Sequence, residues 1–210
     1  MMCPFAVFLC PEGVKWIMKR VEKKNLSRIT DWCQAVMESR APRGGLYIDA
    51  TMGNGNDTLF LCQMAGNEGQ VLAFDIQKEA LETTRELLEK HGVHSRARLI
   101  LDGHQHMERY AGPESADVIC FNFGYLPGGD HRIATSPATS VEAVEQGLRI
   151  LKKGGMMSLC IYSGGDTGFE EKEALLAFLG TLPPRRYTVI VNAYYNRGNH
   201  PPVPVFIFKE

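Results

Sequence analysis

From residue 45 onward, short apolar runs rich in branched and aromatic residues alternate with longer stretches whose apolar positions recur at helical spacing. That alternation is the signature of stacked β-α-β units, because parallel strands need a long crossover and a helix supplies it. The pattern predicts strands at 46–50, 71–74, 98–101, 118–121, 156–161, 187–192 and 205–208, with helices at 58–65, 78–91, 140–151 and 169–179. The last two strands are joined by 193–204, rich in Asn, Gly and Pro, so they are expected to pair as an antiparallel hairpin at one edge. The expected fold class is therefore α/β, a seven-stranded and mostly parallel sheet with a C-terminal antiparallel hairpin.

At 210 residues, 44% hydrophobic and 22% charged, the chain has the composition of one globular domain and excludes intrinsic disorder. No apolar run approaches the roughly 20 residues needed to cross a bilayer, and the apolar start at 1–10 has no preceding positive charge, so no membrane association is expected. The six cysteines are scattered without a C-x-x-C pair, which points away from a zinc site or a disulfide framework and toward a reducing cytoplasm. The formal charge of -1 hides an uneven distribution. Between Glu12 and Arg28, six basic residues oppose two acidic ones. Val14, Ile17, Met18 and Val21, then Ile29, Trp32, Cys33 and Val36, recur at helical spacing around a break at 25–27, so two amphipathic helices are expected. The basic face is either an anion-binding surface or a solvated cover on the core. Residues 1–25 are read as an N-terminal extension with a basic helix, and 26–210 as the main domain.

The chemistry begins at Tyr47-Ile48-Asp49-Ala50-Thr51-Met52-Gly53-Asn54-Gly55-Asn56-Asp57-Thr58, a strand entering a glycine turn and then a helix. Glycine lets a ligand approach the backbone where a Cβ would block it. The next strand ends in Asp75, about 20 residues on, where a carboxylate either receives a ribose diol or caps a helix. A dinucleotide site would prefer G-x-G-x-x-G, but Thr58 stands at the third position. Asp-x-x-x-Gly-x-Gly followed by an acidic strand end instead resembles the S-adenosylmethionine site of class I methyltransferases. The third strand then delivers Asp102-Gly103-His104, where such enzymes hold adenine, with Asp102 the expected acceptor of the adenine amino group.

The fourth strand runs into Phe121-Asn122-Phe123-Gly124-Tyr125-Leu126-Pro127-Gly128-Gly129-Asp130. Asn122 followed by Tyr125 resembles the Asn-Pro-Pro-Tyr loop of amino-methyltransferases, in which an amide and a backbone carbonyl accept hydrogen bonds from the target nitrogen while an aromatic ring packs on the substrate. Methyl transfer is an in-line displacement, so a nucleophile's lone pair must be aimed at the methyl carbon.

Together with Phe74-Asp75-Ile76-Gln77 and Asn196-x-x-Asn199-x-Pro201-Pro202, these motifs resemble the family labelled putative rRNA methylases over about residues 26 to 210. Its characterised members are similar to tRNA wobble-uridine methyltransferases that convert 5-aminomethyl-2-thiouridine to the 5-methylaminomethyl form. The resemblance implies a Rossmann-like class I methyltransferase fold and S-adenosylmethionine as cofactor. It implies cofactor contacts at Asp49, Thr51, Gly53, Asn54, Gly55, Asp57, Thr58, Asp75, Gln77, Asp102, Gly103, His104 and Asn122. Asn122, Tyr125 and Asp130 would be catalytic, and Gly124, Leu126, Gly128, Gly129, His131, Tyr195, Asn196, Arg197 and Asn199 would meet the substrate. No metal is implied. Three positions depart from the family pattern: Asn56 where His is usual, His131 where Lys is expected, and Gly165 where a Gly-His pair is usual.

The expected function is N-methylation of a 5-aminomethyl-(2-thio)uridine at the tRNA wobble position. A small amine, a protein or another RNA is the alternative acceptor, and a cofactor-binding assembly factor without catalysis is a third reading. Asp130, His131, His104 and Asp166 are the candidate proton acceptors, with Asp130 placed first. The expected partner is the anticodon stem-loop, held by Lys15 to Arg28, Arg185, Arg186, Arg197 and His200, and exposed apolar helix faces suggest a homodimer.

Overall fold

A computed structural model describes residues 28–124, 135–163 and 168–210. The basic helix expected within residues 1–25 lies outside the described residues, as do Tyr125, Leu126, Gly128, Gly129, Asp130, His131, Gly165 and Asp166 of the expected site. The elements in chain order are α1 (Ile29–Arg40), β1 (Leu46–Asp49), α2 (Asn56–Ala65), β2 (Gln70–Asp75), α3 (Lys78–Lys90), β3 (Ala97–Leu101), β4 (Ala116–Phe123), α4 (Pro137–Ile150), β5 (Leu151–Ile161), α5 (Gly168–Gly180), β6 (Tyr187–Val191) and β7 (Val203–Lys209). Two short 3-10 turns, His94–Arg96 and His104–Arg109, have no counterpart in the periodicity reading.

The strands form one seven-stranded sheet in the order β3-β2-β1-β4-β5-β7-β6. Every neighbouring pair from β3 across to β5 is parallel, and β7 runs antiparallel to both β5 and β6. The expected hairpin is thus present, with β6 at the edge and β7 inserted beside β5. This order with one reversed strand is the Rossmann-like class I methyltransferase arrangement.

Because successive side chains point to opposite faces, a sheet covered on both sides needs apolar residues at both alternations. In β1, Ile48 joins the core under α4 and α5 with Phe121, Leu159 and Leu175, whereas Tyr47 joins Leu61, Cys62, Met37 and Leu88 under α1, α2 and α3. The same parity fixes the polar ends of the strands. Asp49 and Asn122 follow Tyr47 and Cys120 by two residues, so both fall on the α1–α2 side of the sheet.

Helix α4 begins three residues earlier than its periodicity suggests. Ser136 caps it by accepting from the Thr139 N–H, Thr139 returns a bond to the Ser136 N–H, and Pro137 occupies the first turn. Gly55 precedes α2 with φ of +78°. A Cβ at Gly55 would stand 2.6 Å from Thr84 Oγ1. Gly55→Ala is therefore expected to cost about 2 kcal/mol or more, combining left-handed strain with a clash. Urea unfolding should show a lowered midpoint without a changed slope; an unchanged midpoint would mean that the turn relaxes freely.

Candidate active site

Parallel strands leave their C-terminal ends along one edge of the sheet, and the strand order reverses between β1 and β4. A crevice is expected at such a switch point. A cavity of about 280 Å³ opens there, lined from the strand ends by Thr51, Gly53, Asp75, Gln77, Asp102, Gly103, His104 and Asn122. The sequence placed all eight at the cofactor. Gly124, assigned to the substrate, lines the same cavity, as do Ile76, Thr135, Ser136 and Thr139, which the motif reading did not single out.

The glycine turn is built by backbone bonds. Met52 N–H donates to Phe74 C=O at 2.8 Å, Gly55 N–H to Met52 C=O at 2.9 Å, and Thr84 Oγ1 to Gly53 C=O at 3.2 Å. Asp75 joins the turn to the second strand: Oδ2 accepts from Gly53 N–H and Oδ1 from Gln77 N–H, both at 2.9 Å. Each oxygen spends one lone pair this way and keeps another, which suits a vicinal diol. Beside it, Ile76 is 60% exposed and offers an apolar face to a planar base. Among the described residues, the lining holds two carboxylates, Asp75 and Asp102, and no lysine or arginine. That lining fits a nucleoside with a cationic tail and not a diphosphate.

Asp49, Asn54, Gly55, Asp57 and Thr58, also placed at the cofactor by the motif, are not part of the lining; Asn54 is exposed, Asp57 half-buried, and the other three buried. Asp49 is fully buried; Oδ2 accepts from Thr58 Oγ1 at 2.6 Å and Oδ1 from Thr51 N–H at 3.2 Å. Burial, followed by the Asp57 charge, pushes its carboxyl up to about 7. Asp102 accepts from Gly103 N–H at 2.8 Å, Tyr110 Oη at 2.9 Å and His106 Nδ1 at 2.7 Å, with the His106 bond the main reason its carboxyl sits below the usual range. Both of its oxygens thus already hold partners. His104 lies edge-on to Phe121 and Phe123 at 6.2 and 6.0 Å, and burial pulls its ring down to about 4 despite a bond to the Ala50 backbone. A ring that weakly basic is neutral at physiological pH and a poor acceptor for an ammonium proton.

Asn122 enters the cavity from β4. Its backbone N–H donates to Thr51 Oγ1 at 2.6 Å and its Nδ2 to Asp57 Oδ2 at 2.8 Å. Its neighbour Gly124 closes a loop base: Gly124 N–H donates to Thr135 Oγ1 at 2.9 Å, and Thr135 N–H to Gly124 C=O at 3.1 Å. Gly124 and Thr135 therefore meet at the cavity. Glu171, from α5, accepts from Ser140 Oγ of α4 at 2.5 Å beside this base, while burial holds its carboxyl above the usual range. Ser136 followed by Pro137, a capping residue before a first-turn proline, is the signal that could have marked this corner; nothing in the sequence pointed to Glu171 or to Gln34. The β6–β7 connection is separate from the cavity lining. There Tyr195 is fully exposed, Arg197 stacks over the Tyr194 ring at 4.2 Å, and Asn199 and His200 have φ of +60° and +48°.

A family model described as putative rRNA methylase matches residues 71–208. A chloroplastic tRNA (mnm5s2U34)-methyltransferase of Arabidopsis thaliana is 39% identical over 194 residues, covering 87% of this chain and 70% of the relative. The crystal structure of a putative rRNA methylase from Clostridium thermocellum superposes with a TM-score of 0.84 at 39% identity, covering 86% of this chain and 97% of that one. A putative methyltransferase from Streptococcus mutans, solved in complex with SAH, does so with a TM-score of 0.79 at 36% identity, covering 87% and 98%.

The buried Asp49 makes a pH prediction. Its folded value, about 7, lies above its ordinary value of 3.8, so folding favours the protonated form. The resulting stabilisation is complete below about pH 4 and is lost as the pH rises through about 7. Asp49→Asn should flatten this slope, so that between pH 5 and pH 8 the wild type loses more melting temperature than the variant, by roughly 3 to 6 °C for 1 to 2 kcal/mol. Parallel slopes in the two proteins would mean that Asp49 folds ionised.

Proposed function

We infer the function from one premise: the chain belongs to the rRNA methylase family and is an S-adenosylmethionine-dependent methyltransferase. Its acceptor, in our reading, is the primary amine of 5-aminomethyl-(2-thio)uridine at the tRNA wobble position. The observation that carries this reading is the meeting of Asn122 with the Gly53–Asp75 cleft in one acidic cavity, and the printed activity of the Arabidopsis relative supports it. Asp75 would hold the ribose, Gly53 and Thr51 the approach of the methionine part, and Ile76 the base. Asn122, Tyr125 and Asp130 would serve the acceptor, with Gly124, Leu126, Gly128, Gly129 and His131 around it.

The acceptor poses a problem of protonation. An alkylamine near pKa 10 has about one neutral molecule in a thousand at pH 7, a cost of about 4 kcal/mol, and only the neutral form has a lone pair. When bound, the cofactor supplies the electrophilic methyl group and a sulfonium charge that disfavours the ammonium. The chain's own part is to desolvate the amine and to aim it. The Asn122 carbonyl accepts one amine N–H, which turns the lone pair toward the line of attack. Tyr195, Asn196, Arg197 and Asn199 of the β6–β7 connection, with Arg186, offer stacking and phosphate contacts to an anticodon loop. Among the described residues no helix is long and apolar enough to cross a membrane, and Cys33, Cys62, Cys120 and Cys160 are free and buried; the compartment we propose is the cytoplasm.

Two measurements test this reading. In calorimetry, Asp75→Ala is expected to weaken S-adenosylmethionine binding about ten- to a hundredfold, the loss of a charge-assisted bond of roughly 1.5 to 3 kcal/mol; unchanged affinity in a folded variant would move the ribose elsewhere. In paired assays, tRNA carrying the 5-aminomethyl group should be methylated and tRNA with an unmodified wobble uridine should not. Equal labelling of both would show that the target atom is not this amine.

A further inference from the structure

The Asn122 amide has two ends that differ chemically but hardly in shape. If its carbonyl faces the amine, it accepts an N–H and leaves the lone pair free. If its NH2 faces the amine, it donates to that lone pair and blocks the attack. Correct catalysis therefore needs one of two nearly isosteric orientations, and something must choose between them.

The choice is visible one layer back. Asn122 Nδ2 donates to Asp57 Oδ2 at 2.8 Å, and the other oxygen of Asp57 accepts from Gln34 Nε2 at 2.7 Å. A carboxylate accepts and does not donate, so it admits only the NH2 end of Asn122. Asn122 Oδ1 has no hydrogen-bond partner among the described residues, and Asn122 lines the cavity while Asp57 and Gln34 do not. Asp57 sits in the first turn of α2, where the helix end favours a negative side chain, and Gln34 reaches it from α1. The backbone of Asn122 is fixed independently by Thr51. Main chain and side chain are thus held by separate elements, and the remaining freedom, rotation of the amide, is removed by the carboxylate.

We propose that Asp57, anchored by Gln34, is a positioning residue that fixes the polarity of the Asn122 amide so that its carbonyl faces the acceptor amine. This rests on the reading of Asn122 as the group that aims the amine. It also reassigns Asp57, whose motif position suggested a cofactor contact.

The test moves the carboxylate along the chain of bonds. In Asp57→Asn, residue 57 can turn either end toward Asn122, so polarity is lost; adding Gln34→Glu supplies an acceptor at 34, draws the NH2 of residue 57 toward it and returns a carbonyl to Asn122. The full-length protein is assayed with 5-aminomethyl tRNA at saturating cofactor, at the alkaline plateau of its pH profile. Asp57→Asn should lower kcat about tenfold or more, with KM and calorimetric SAH affinity within about threefold, and the double variant should return to within about threefold of wild type. In the protein without ligands, the Asn122 side-chain amide signal, identified by its loss in Asn122→Ala, should be protected from exchange in the wild type and the double variant and not in Asp57→Asn. Wild-type kcat in Asp57→Asn, or a folded double variant no faster than the single one, overturns the proposal. Should Asp57→Asn fail to fold, Gln34→Leu serves, with a kcat loss of about threefold or more expected and wild-type kcat overturning the proposal. Wild-type turnover in Asn122→Ala would refute the reading of Asn122 itself, whereas a slow Asn122→Ala beside an undisturbed Asp57→Asn refutes only the part given to Asp57.

Discussion

The carboxylate of Asp49 ties the end of β1 to the first turn of α2, accepting from Thr51 N–H and Thr58 Oγ1 in full burial. The cavity depends on this tie. A chain leaving a buried parallel strand must turn at once and start a helix, and the turn has to stay open enough to receive a ligand. Glycines permit the path but do not hold it; Asp49 holds it from below and Asp75 from the side through Gly53 N–H. The tie also costs stability at neutral pH, because burial first and the nearby Asp57 charge second displace the carboxyl to about 7. Evolution toward maximal stability would replace such a group, and its place beside the candidate site is consistent with the tendency of perturbed carboxyls to cluster where chemistry is done.

From that tie, the register of the sheet carries position outward. Asp49 pairs with Cys120 across β1 and β4, and Asn122 lies two residues further on the same face, with Cys160 of β5 beside it. Thr51 follows Asp49 by two residues and receives the Asn122 N–H. Asn122, set on a central strand and bonded at backbone and side chain, is better fixed than a residue on a free loop. Beside the loop base at Gly124 and Thr135 stand the capped start of α4 and Glu171, which accepts from Ser140.

The sheet was legible because its inner strands β1, β2, β4, β5 and β7 are buried on both faces, so apolar runs and glycine punctuation mark them sharply. The candidate cofactor residues were legible for a related reason: Gly53, Asp75, Gln77, Asp102 and His104 sit at strand ends, and the strand ends of a parallel sheet share one edge. What escaped was anything defined by contact between distant elements. Gln34 sits on an amphipathic helix among ordinary surface residues, and its role exists only because α1 lies within reach of α2. Glu171 reads as a helix-start acid and turns out to be buried at 1% exposure against Ser140. Asp57 was singled out by its place in a motif, but its contacts lead to Asn122 and Gln34. The 3-10 turn at His104–Arg109 was missed because three residues per turn leave no amphipathic period to read.

On the proposed reading, aiming and deprotonation separate in this site. Asp75 and Asp102 give the lining a negative character that attracts an ammonium and raises its pKa, the opposite of what attack requires. His104, drawn down to about 4, does not relieve it. A carbonyl resolves part of this conflict. It accepts a hydrogen bond from an ammonium and, more weakly, from a neutral amine, so on the proposed reading the acceptor can be captured in its abundant charged form and keep one N–H on Asn122 while another proton departs. An imidazole or a carboxylate in the same position would compete to become the proton's destination. A neutral amide with a fixed carbonyl would hold the nitrogen through the change of charge without taking part in it, and the proposed enforcement of its polarity from outside the cavity serves that part.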